Sequence, residues 1–238
     1  MKRLLATILG LGLLISVVHA GDALAVSTAS NGGSASATAT ATGNAESLAI
    51  AGATNGGRAV ANSDAIGRRN GFASSRAVAT ADRGTALSNS LADARGKRGG
   101  SAVADSESIA AAIGGLAVSN SAAIADGTYF GHARSRSTST ALSHYGTAYS
   151  DSQATSRGVF GGYASSNSDS AAETFGGVST SQTRVISAAR YHASAEADGV
   201  GISSSGYLQH ADSRIRAESR ADHHGTSHAN GVVITVRP

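Results

Sequence analysis

Glycines recur in this chain at a fixed step of 31 positions, and small residues fill alternate positions between them. Two glycine series interleave, so that half-repeats of 15 and 16 residues alternate. The first series is Gly84, Gly115, Gly146 and Gly177, and the second is Gly100, Gly131 and Gly162. A period of two between the glycines is typical of β-strands rather than helices. Each half-repeat is therefore predicted to form one strand followed by a glycine-containing turn.

Three columns of residues, counted from each glycine, define the two faces of these strands. The second residue is small: Ala86, Ala102, Ala117, Ala133, Ala148, Ala164 and Ser179. The sixth is also small: Ser90, Ser106, Ser121, Ser137, Ser152, Ser168 and Thr183. The fifth is polar and lies on the opposite face: Asn89, Asp105, Asn120, Arg136, Asp151, Asn167 and Gln182. A slip of one residue would exchange the faces, so the pattern fixes the register.

These columns predict an all-β fold, a flattened two-sheet β-solenoid with about 31 residues per coil. Its core would be thin and made of Ala, Ser, Gly and Thr, with odd strands in one sheet and even strands in the other. Burial of one Ala methyl contributes only about 0.8 kcal/mol, less than the cost of ordering its backbone, so the coils depend on stacking. Antiparallel hairpins stacked in the same order are an alternative that the pattern leaves open.

The segment from Met1 to Ala20 has the features of a secretory signal peptide. Lys2 and Arg3 precede an apolar run that ends at Val18-His19-Ala20, and this run is short for a membrane span. Cleavage is expected after Ala20, with Ala25 as the second site, which leaves residues 21–238 as a single repeat domain without a membrane span. We therefore expect a secreted, extracellular or cell-surface protein.

The charge and the cysteine content of the mature chain argue against some kinds of partner and site. Loss of Lys2 and Arg3 lowers the formal charge from +3 to +1, so nucleic acid is not expected as a partner, because its binding needs a concentrated basic surface. The chain has no cysteine, which excludes disulfides and thiolate metal sites. The repeat architecture suggests self-assembly, or binding to an extended surface such as a polysaccharide, ice or another fibre, as the interactions to expect.

Two protein families share stretches of this sequence. The segments GGSASATATATG (32–43) and ANSDAIGRRNGFASSRAVATA (61–81) resemble the hyperactive antifreeze protein of longhorn beetles, which implies a flattened, small-residue β-solenoid. The segments NSDAIG (62–67) and NSAAIADG (120–127) resemble the head repeats of trimeric autotransporter adhesins. Cross-β insect silks, with Ala-Ser alternation, are a weaker likeness. The beetle resemblance implies a candidate ice-binding row at Thr38, Thr40 and Thr42, although such a face needs similar rows on adjacent strands.

No enzyme is indicated. The abundant Ser, His and Asp residues lack a Gly-x-Ser-x-Gly nucleophile elbow between a strand and a helix, so no catalytic, cofactor-binding or metal-binding residue is assigned, and no cofactor is expected. His223, His224 and His228 are interpreted as a solvated turn rather than a metal site. The outward polar ladder, formed by Asn89, Asn120, Asp151 and Gln182, is interpreted first as a device that fixes register, with the binding of a repetitive surface such as a polysaccharide, a mineral or another fibre as the alternative.

The expected function is that of a secreted, non-enzymatic structural or surface-interaction protein. An ice-binding protein and a bacterial adhesin head are the two alternatives. The segment GVVITVRP (231–238) is the most β-branched stretch of the mature chain. It is predicted to be a cap on the last coil, with a strand that docks onto another molecule as the alternative.

Overall fold

The computed structural model describes ten segments of the chain. These are residues 12–19, 22–68, 72–96, 102–128, 132–159, 163–175, 178–190, 194–205, 210–222 and 226–236. The described residues form sixteen β-strands and no helix. Gly177, Gly100, Gly131 and Gly162 of the repeat lie outside the described residues, as do His223 and His224.

The strands lengthen from the N-terminal end to the middle of the chain. The strands of the odd series are β1 (Gly12–His19), β3 (Ser34–Thr42), β5 (Arg58–Arg68), β7 (Thr85–Gly96), β9 (Leu116–Thr128), β11 (Thr147–Val159), β13 (Val178–Arg190) and β15 (Ala211–Asp222). The strands of the even series are β2 (Ala23–Ala29), β4 (Ala45–Ala53), β6 (Phe72–Asp82), β8 (Ala102–Ile113), β10 (His132–His144), β12 (Tyr163–Phe175), β14 (Ser194–Ser205) and β16 (Thr226–Val236).

The two series form two separate sheets that face each other. Every odd strand pairs in parallel with the next odd strand, and every even strand with the next even strand, so each sheet has eight strands. Ala86 aligns with Ala117, and Ala102 aligns with Ala133, each pair being one repeat apart. The predicted two-sheet β-solenoid with about 31 residues per coil is confirmed. The stacked antiparallel hairpins are not what the chain forms.

The coil is not uniform, because it widens along the solenoid axis. Ala23 aligns with Ser47, whereas Ala195 aligns with Ser227, so the last even coil takes up more of the chain than the first. Strand length follows the same trend, from seven residues in β2 to thirteen in β10 and eleven in β16. The N-terminal end of the stack is therefore narrower than the C-terminal end.

Alternate side chains along each strand are buried between the sheets, as the period of two predicts. In β8 the buried and partly exposed positions alternate without a break until Ile113. All residues of the second and sixth columns are buried, from Ala86 and Ser90 in β7 to Ser179 and Thr183 in β13. The core is almost entirely Ala and Ser, which is the thin interior that the sequence predicts.

Buried serines join the two sheets by hydrogen bonds. Ser106 Oγ donates to the carbonyl oxygen of Ser90 at 2.9 Å, and Ser121 Oγ donates to that of Ser106 at 2.8 Å. Nine such serines, one on each strand from β4 to β12, form a continuous chain that crosses from sheet to sheet: Ser47, Ser63, Ser75, Ser90, Ser106, Ser121, Ser137, Ser152 and Ser168. Because a buried hydroxyl without a partner costs about 1–3 kcal/mol, these bonds make a serine core tolerable.

Glycines stack at one corner of the coils, where the backbones approach closely. Leu116 N–H donates to the carbonyl oxygen of Gly84, and Thr147 N–H donates to that of Gly115, both at 3.1 Å. A Cβ atom at Gly115 would lie 1.8 Å from the Gly84 oxygen, far inside ordinary contact. The recurrence of glycine at this point of the repeat therefore has a steric cause.

Among the described residues, side chains larger than threonine enter the core near the C-terminal end. Val185 is fully buried, and glycines of the opposite sheet make room for it and for Ile215. A Cβ atom at Gly199 would lie 3.0 Å from Val185 Cγ2, and one at Gly231 would lie 3.0 Å from Ile215 Cγ2. A large side chain on one sheet thus lies opposite a glycine on the other sheet.

Strand β1 lies within the predicted signal peptide. It pairs with β3, with Ile15 opposite Thr38 and Val17 opposite Thr40. Cleavage after Ala20 would remove this strand and leave β3 at the end of its sheet.

Candidate interaction surfaces

The predicted outward polar ladder is a single straight column on the outer face of the odd sheet. Asn89, Asn120, Asp151 and Gln182 align strand by strand, and the column extends to Asn62 before them and to Arg214 after them. Asn89 Nδ2 donates to Asn62 Oδ1, and Asn120 Nδ2 donates to Asn89 Oδ1, both at 2.9 Å. These amides are therefore used to join coils, in agreement with a register-fixing role.

The asparagine bonding stops at Asp151. An ionised carboxylate has no hydrogen to donate to Asn120 Oδ1, and burial among neighbouring side chains raises the pKa of Asp151, against the effects of hydrogen bonds from Gln153 and the Ser152 backbone. Burial also raises the pKa of Asp64 and Asp126 on the same sheet. The outward carboxylates are therefore crowded by the coils above and below them.

The candidate ice-binding row faces outward on one strand. Thr38, Thr40 and Thr42 are all partly exposed on β3. Their partners on the adjacent strand β5 are Asn62, Asp64 and Ile66. On the β5 side, the threonine row therefore has no threonine neighbours.

The outer face of the even sheet carries a column of mostly aliphatic side chains, here called the aliphatic stripe, which the sequence analysis did not identify. Val26, Ile50, Val78 and Ile109 align on β2, β4, β6 and β8. The column continues through Thr140 and Ala171 to Ile202 and Ile234. Such a column stabilises the sheet by contact between neighbouring branched side chains.

An exposed aromatic cluster lies at the ends of the even strands, next to the corner where Gly84, Gly115 and Gly146 stack. Ile113, His144 and Phe175 align across β8, β10 and β12, and the His144 and Phe175 rings stack with centroids 5.4 Å apart. Tyr145 packs edge-on against both rings, at 4.4 Å and 5.6 Å. Ile113, Tyr145 and Phe175 are 56%, 61% and 59% exposed. We call these four residues the aromatic corner.

A shallow groove runs beside the aromatic corner. Its volume is about 650 Å³, and Asp82 and Glu173 lie in its lining with Leu142 and Thr80. Asp82 aligns with Ile113, so the carboxylate continues the same column by one coil. The groove thus combines apolar rings with hydrogen-bonding groups in a line parallel to the solenoid axis.

The constant step of the repeat links Ile113, His144 and Phe175, so the signal for the aromatic corner is present in the sequence. It was missed because the repeat was followed through its small and polar columns only. A backbone hydrogen bond joins each pair of neighbouring coils at the aromatic corner. One example is the bond from Tyr145 N–H to the Phe175 carbonyl oxygen, at 2.9 Å. Tyr145 has a φ of 58°, which turns the chain here.

Within the described residues, no group of three or more His, Asp or Glu side chains is arranged to hold a metal ion. No helix in the described part of the chain is long and apolar enough to cross a lipid bilayer. Comparison with protein-family models, with curated proteins and with solved structures gave no match to this chain.

Proposed function

We propose that this chain is an exported, non-enzymatic structural protein whose stiff solenoid binds an extended surface through the aromatic corner. The observation that carries the proposal is the alignment of Ile113, His144 and Phe175, one residue per coil, with Tyr145 packed beside them. Contiguous exposed apolar patches with polar rims mark interaction sites in soluble proteins.

The proposed ligand is a polysaccharide. Aromatic side chains combine a large apolar contact area with little loss of conformational entropy. Asp82 and Glu173, which lie in the same groove, supply acceptors for hydroxyl groups. The groove is open along the coil axis, so it suits a chain-like ligand rather than a small enclosed molecule.

The proposal is tested by co-sedimentation of the purified protein with insoluble cellulose and chitin. Phe175→Ala is expected to lower the bound fraction at least threefold. Tyr163→Ala is the matched control, because Tyr163 begins the same strand that Phe175 ends and is also exposed. Equal binding by the two variants, or no binding by the unmodified protein, would refute the proposal.

Ice binding is the alternative implied by the likeness to the beetle antifreeze protein. It rests on the outward row at Thr38, Thr40 and Thr42, which is confined to one strand on the side of β5. Thermal hysteresis of the folded protein tests it, and Thr40→Tyr should abolish any hysteresis that this row produces.

A bacterial adhesin head is the second alternative. It predicts a trimer in solution, as in the autotransporters that the NSDAIG and NSAAIADG segments resemble. Sedimentation equilibrium measures the number of chains directly.

A further inference from the structure

The strand β16 lies at the C-terminal end of the solenoid, and its residues from Thr226 to Ile234 include no Asp, Glu, Lys or Arg. Strand β16 is the last strand of the even sheet, so one of its backbone edges has no neighbouring strand in the described chain. Every residue from Thr226 to Ile234 is exposed. Val232, Val233 and Ile234 are 51%, 52% and 42% exposed. Open apolar edges of this kind pair readily with another strand.

The three bulky residues of β16 do not close the core together. Val233 aligns with the buried Gly201 and so belongs to the inward face, whereas Val232 and Ile234 align with the outward Val200 and Ile202. A cap would place its bulk over the open end, but here Val232 and Ile234 lie on the outer face, where Ile234 extends the aliphatic stripe and Val232 continues the column of Val200. Val233 lies on the inward face but is half exposed, so the core is open to solvent at the end of the stack.

The neighbouring end strand, β15, is protected in a different way. Its outward side chains are ion-paired along the strand, Arg214 with Asp212 at 3.1 Å, and Glu218 with Arg216 and with Arg220. Charges on an edge strand discourage pairing with unrelated strands. A partner of this end must therefore match a charged strand and an uncharged strand at the same time.

The widening of the coil determines which partner can cover this end in full. The C-terminal strands have twelve and eleven residues, whereas β2 and β3 near the N-terminal end have seven and nine. A head-to-tail contact would leave several residues of β15 and β16 uncovered. Only another C-terminal end has the same width.

We propose that two copies of this chain associate through their C-terminal ends, with β16 pairing antiparallel with β16 of the second copy and β15 with its own equivalent. The contact is isologous, so it closes as a dimer and does not grow into a fibre. In β15, a two-fold axis at Arg216 sets Asp212 opposite Arg220 and Arg214 opposite Glu218 of the second copy. The same axis sets Arg216 opposite its own equivalent, so four opposite-charge contacts stand against one like-charge contact, and the balance favours the pairing of β15 with itself.

Sedimentation equilibrium of the whole mature protein, over a range of micromolar concentrations, tests the proposal. Two chains per particle are expected for the unmodified protein. Val233→Asp is expected to raise the dimer dissociation constant at least a hundredfold, because the carboxylate would be enclosed between the two copies. Val232→Asp is the matched control, since Val232 is equally exposed but lies on the outer face, which stays in contact with water in the dimer.

A monomeric unmodified protein, a trimer, or particles that lengthen with concentration would each overturn the proposal, and so would equal effects of the two Asp variants. A circular dichroism spectrum shows whether each variant keeps its β-structure. If Val233→Asp does not fold, deletion of residues 231–238 replaces it. A soluble monomer is then expected, whereas aggregation of the shortened chain would mean that the segment is a cap.

Discussion

A glycine can be required because two backbones approach closely or because its φ is positive. Replacing each of two adjacent glycines with alanine distinguishes these two reasons. Gly114 and Gly115 form the turn between β8 and β9. Gly114 has a φ of +64° and open space around it, whereas a Cβ atom at Gly115 would lie 1.8 Å from the carbonyl oxygen of Gly84. Gly115→Ala is therefore expected to be much more destabilising than Gly114→Ala.

The magnitude for Gly115→Ala follows from the bonds at the corner. Ordinary contact begins at 3.4 Å and the added Cβ atom would lie at 1.8 Å, so the two coils would have to separate locally by about 1.6 Å, a distance that breaks hydrogen bonds. Two backbone bonds join these coils at this point, from Leu116 N–H to the Gly84 oxygen and from Arg83 N–H to the Ile113 oxygen. Each contributes about 1 kcal/mol net, and with added strain the loss is about 2–4 kcal/mol.

For Gly114→Ala the expected cost is about 1 kcal/mol, that of a left-handed conformation in a residue with a Cβ atom. Tyr145 occupies the equivalent position of the next coil with a φ of 58°, so the turn accepts a side chain there. Urea denaturation followed by circular dichroism measures both variants. Equal destabilisation, or a larger effect of Gly114→Ala, would refute the steric explanation of the glycine column.

Two further predictions concern the two faces of the odd sheet. Ser121→Leu should lower the free energy of unfolding by more than about 1 kcal/mol, because Ser121 is buried and bonded to Ser106. Asn120→Ala, at the adjacent outward position, should lower it by less. Equal effects of the two substitutions in urea denaturation would contradict the assignment of the two faces. Asp151→Asn should stabilise the protein at pH 7 by about 1 kcal/mol, because the new amide can donate to Asn120 Oδ1 and continue the ladder. Because burial raises the folded-state pKa of Asp151 above its unfolded value, its contribution to stability is complete below the unfolded pKa and is lost as the pH rises through the folded pKa. The stability of the unmodified protein relative to that of Asp151→Asn should therefore fall as the pH rises above the unfolded pKa of the aspartate, and a difference between the two proteins that does not change with pH would contradict this assignment.

The fold could be predicted from the sequence because the same constraint is repeated in every coil. Ala117, Asn120 and Ser121 each belong to a column that recurs from coil to coil, and the structure places each column on the expected face. A single Ala-Ser alternation would have been ambiguous, because alanine is a poor strand former.

Other features depend on distances that the sequence pattern does not contain. The regular spacing of Ser90, Ser106 and Ser121 is visible in the sequence, but the bonds of these serines to carbonyl groups of the opposite sheet depend on how closely the sheets approach. The matching of Val185 with Gly199 also joins residues on opposite sheets. The aromatic corner lies at the ends of strands. The alternation of small residues stops there, so it does not predict which side chains meet.

The parallel alignment of residues one repeat apart is the central claim, and a pair of cysteines tests it most directly. The chain has no cysteine of its own, so Asn89→Cys with Asn120→Cys introduces one pair on neighbouring strands of the same face. Adjacent strands lie about 4.8 Å apart, which is within the Cα separation of a disulfide. Asn89→Cys with Asp105→Cys is the control, because these residues lie on different sheets. Mild oxidation should link the first pair within one chain and leave the second pair reduced, whereas linkage of residues 89 and 105 without linkage of residues 89 and 120 would contradict the parallel solenoid.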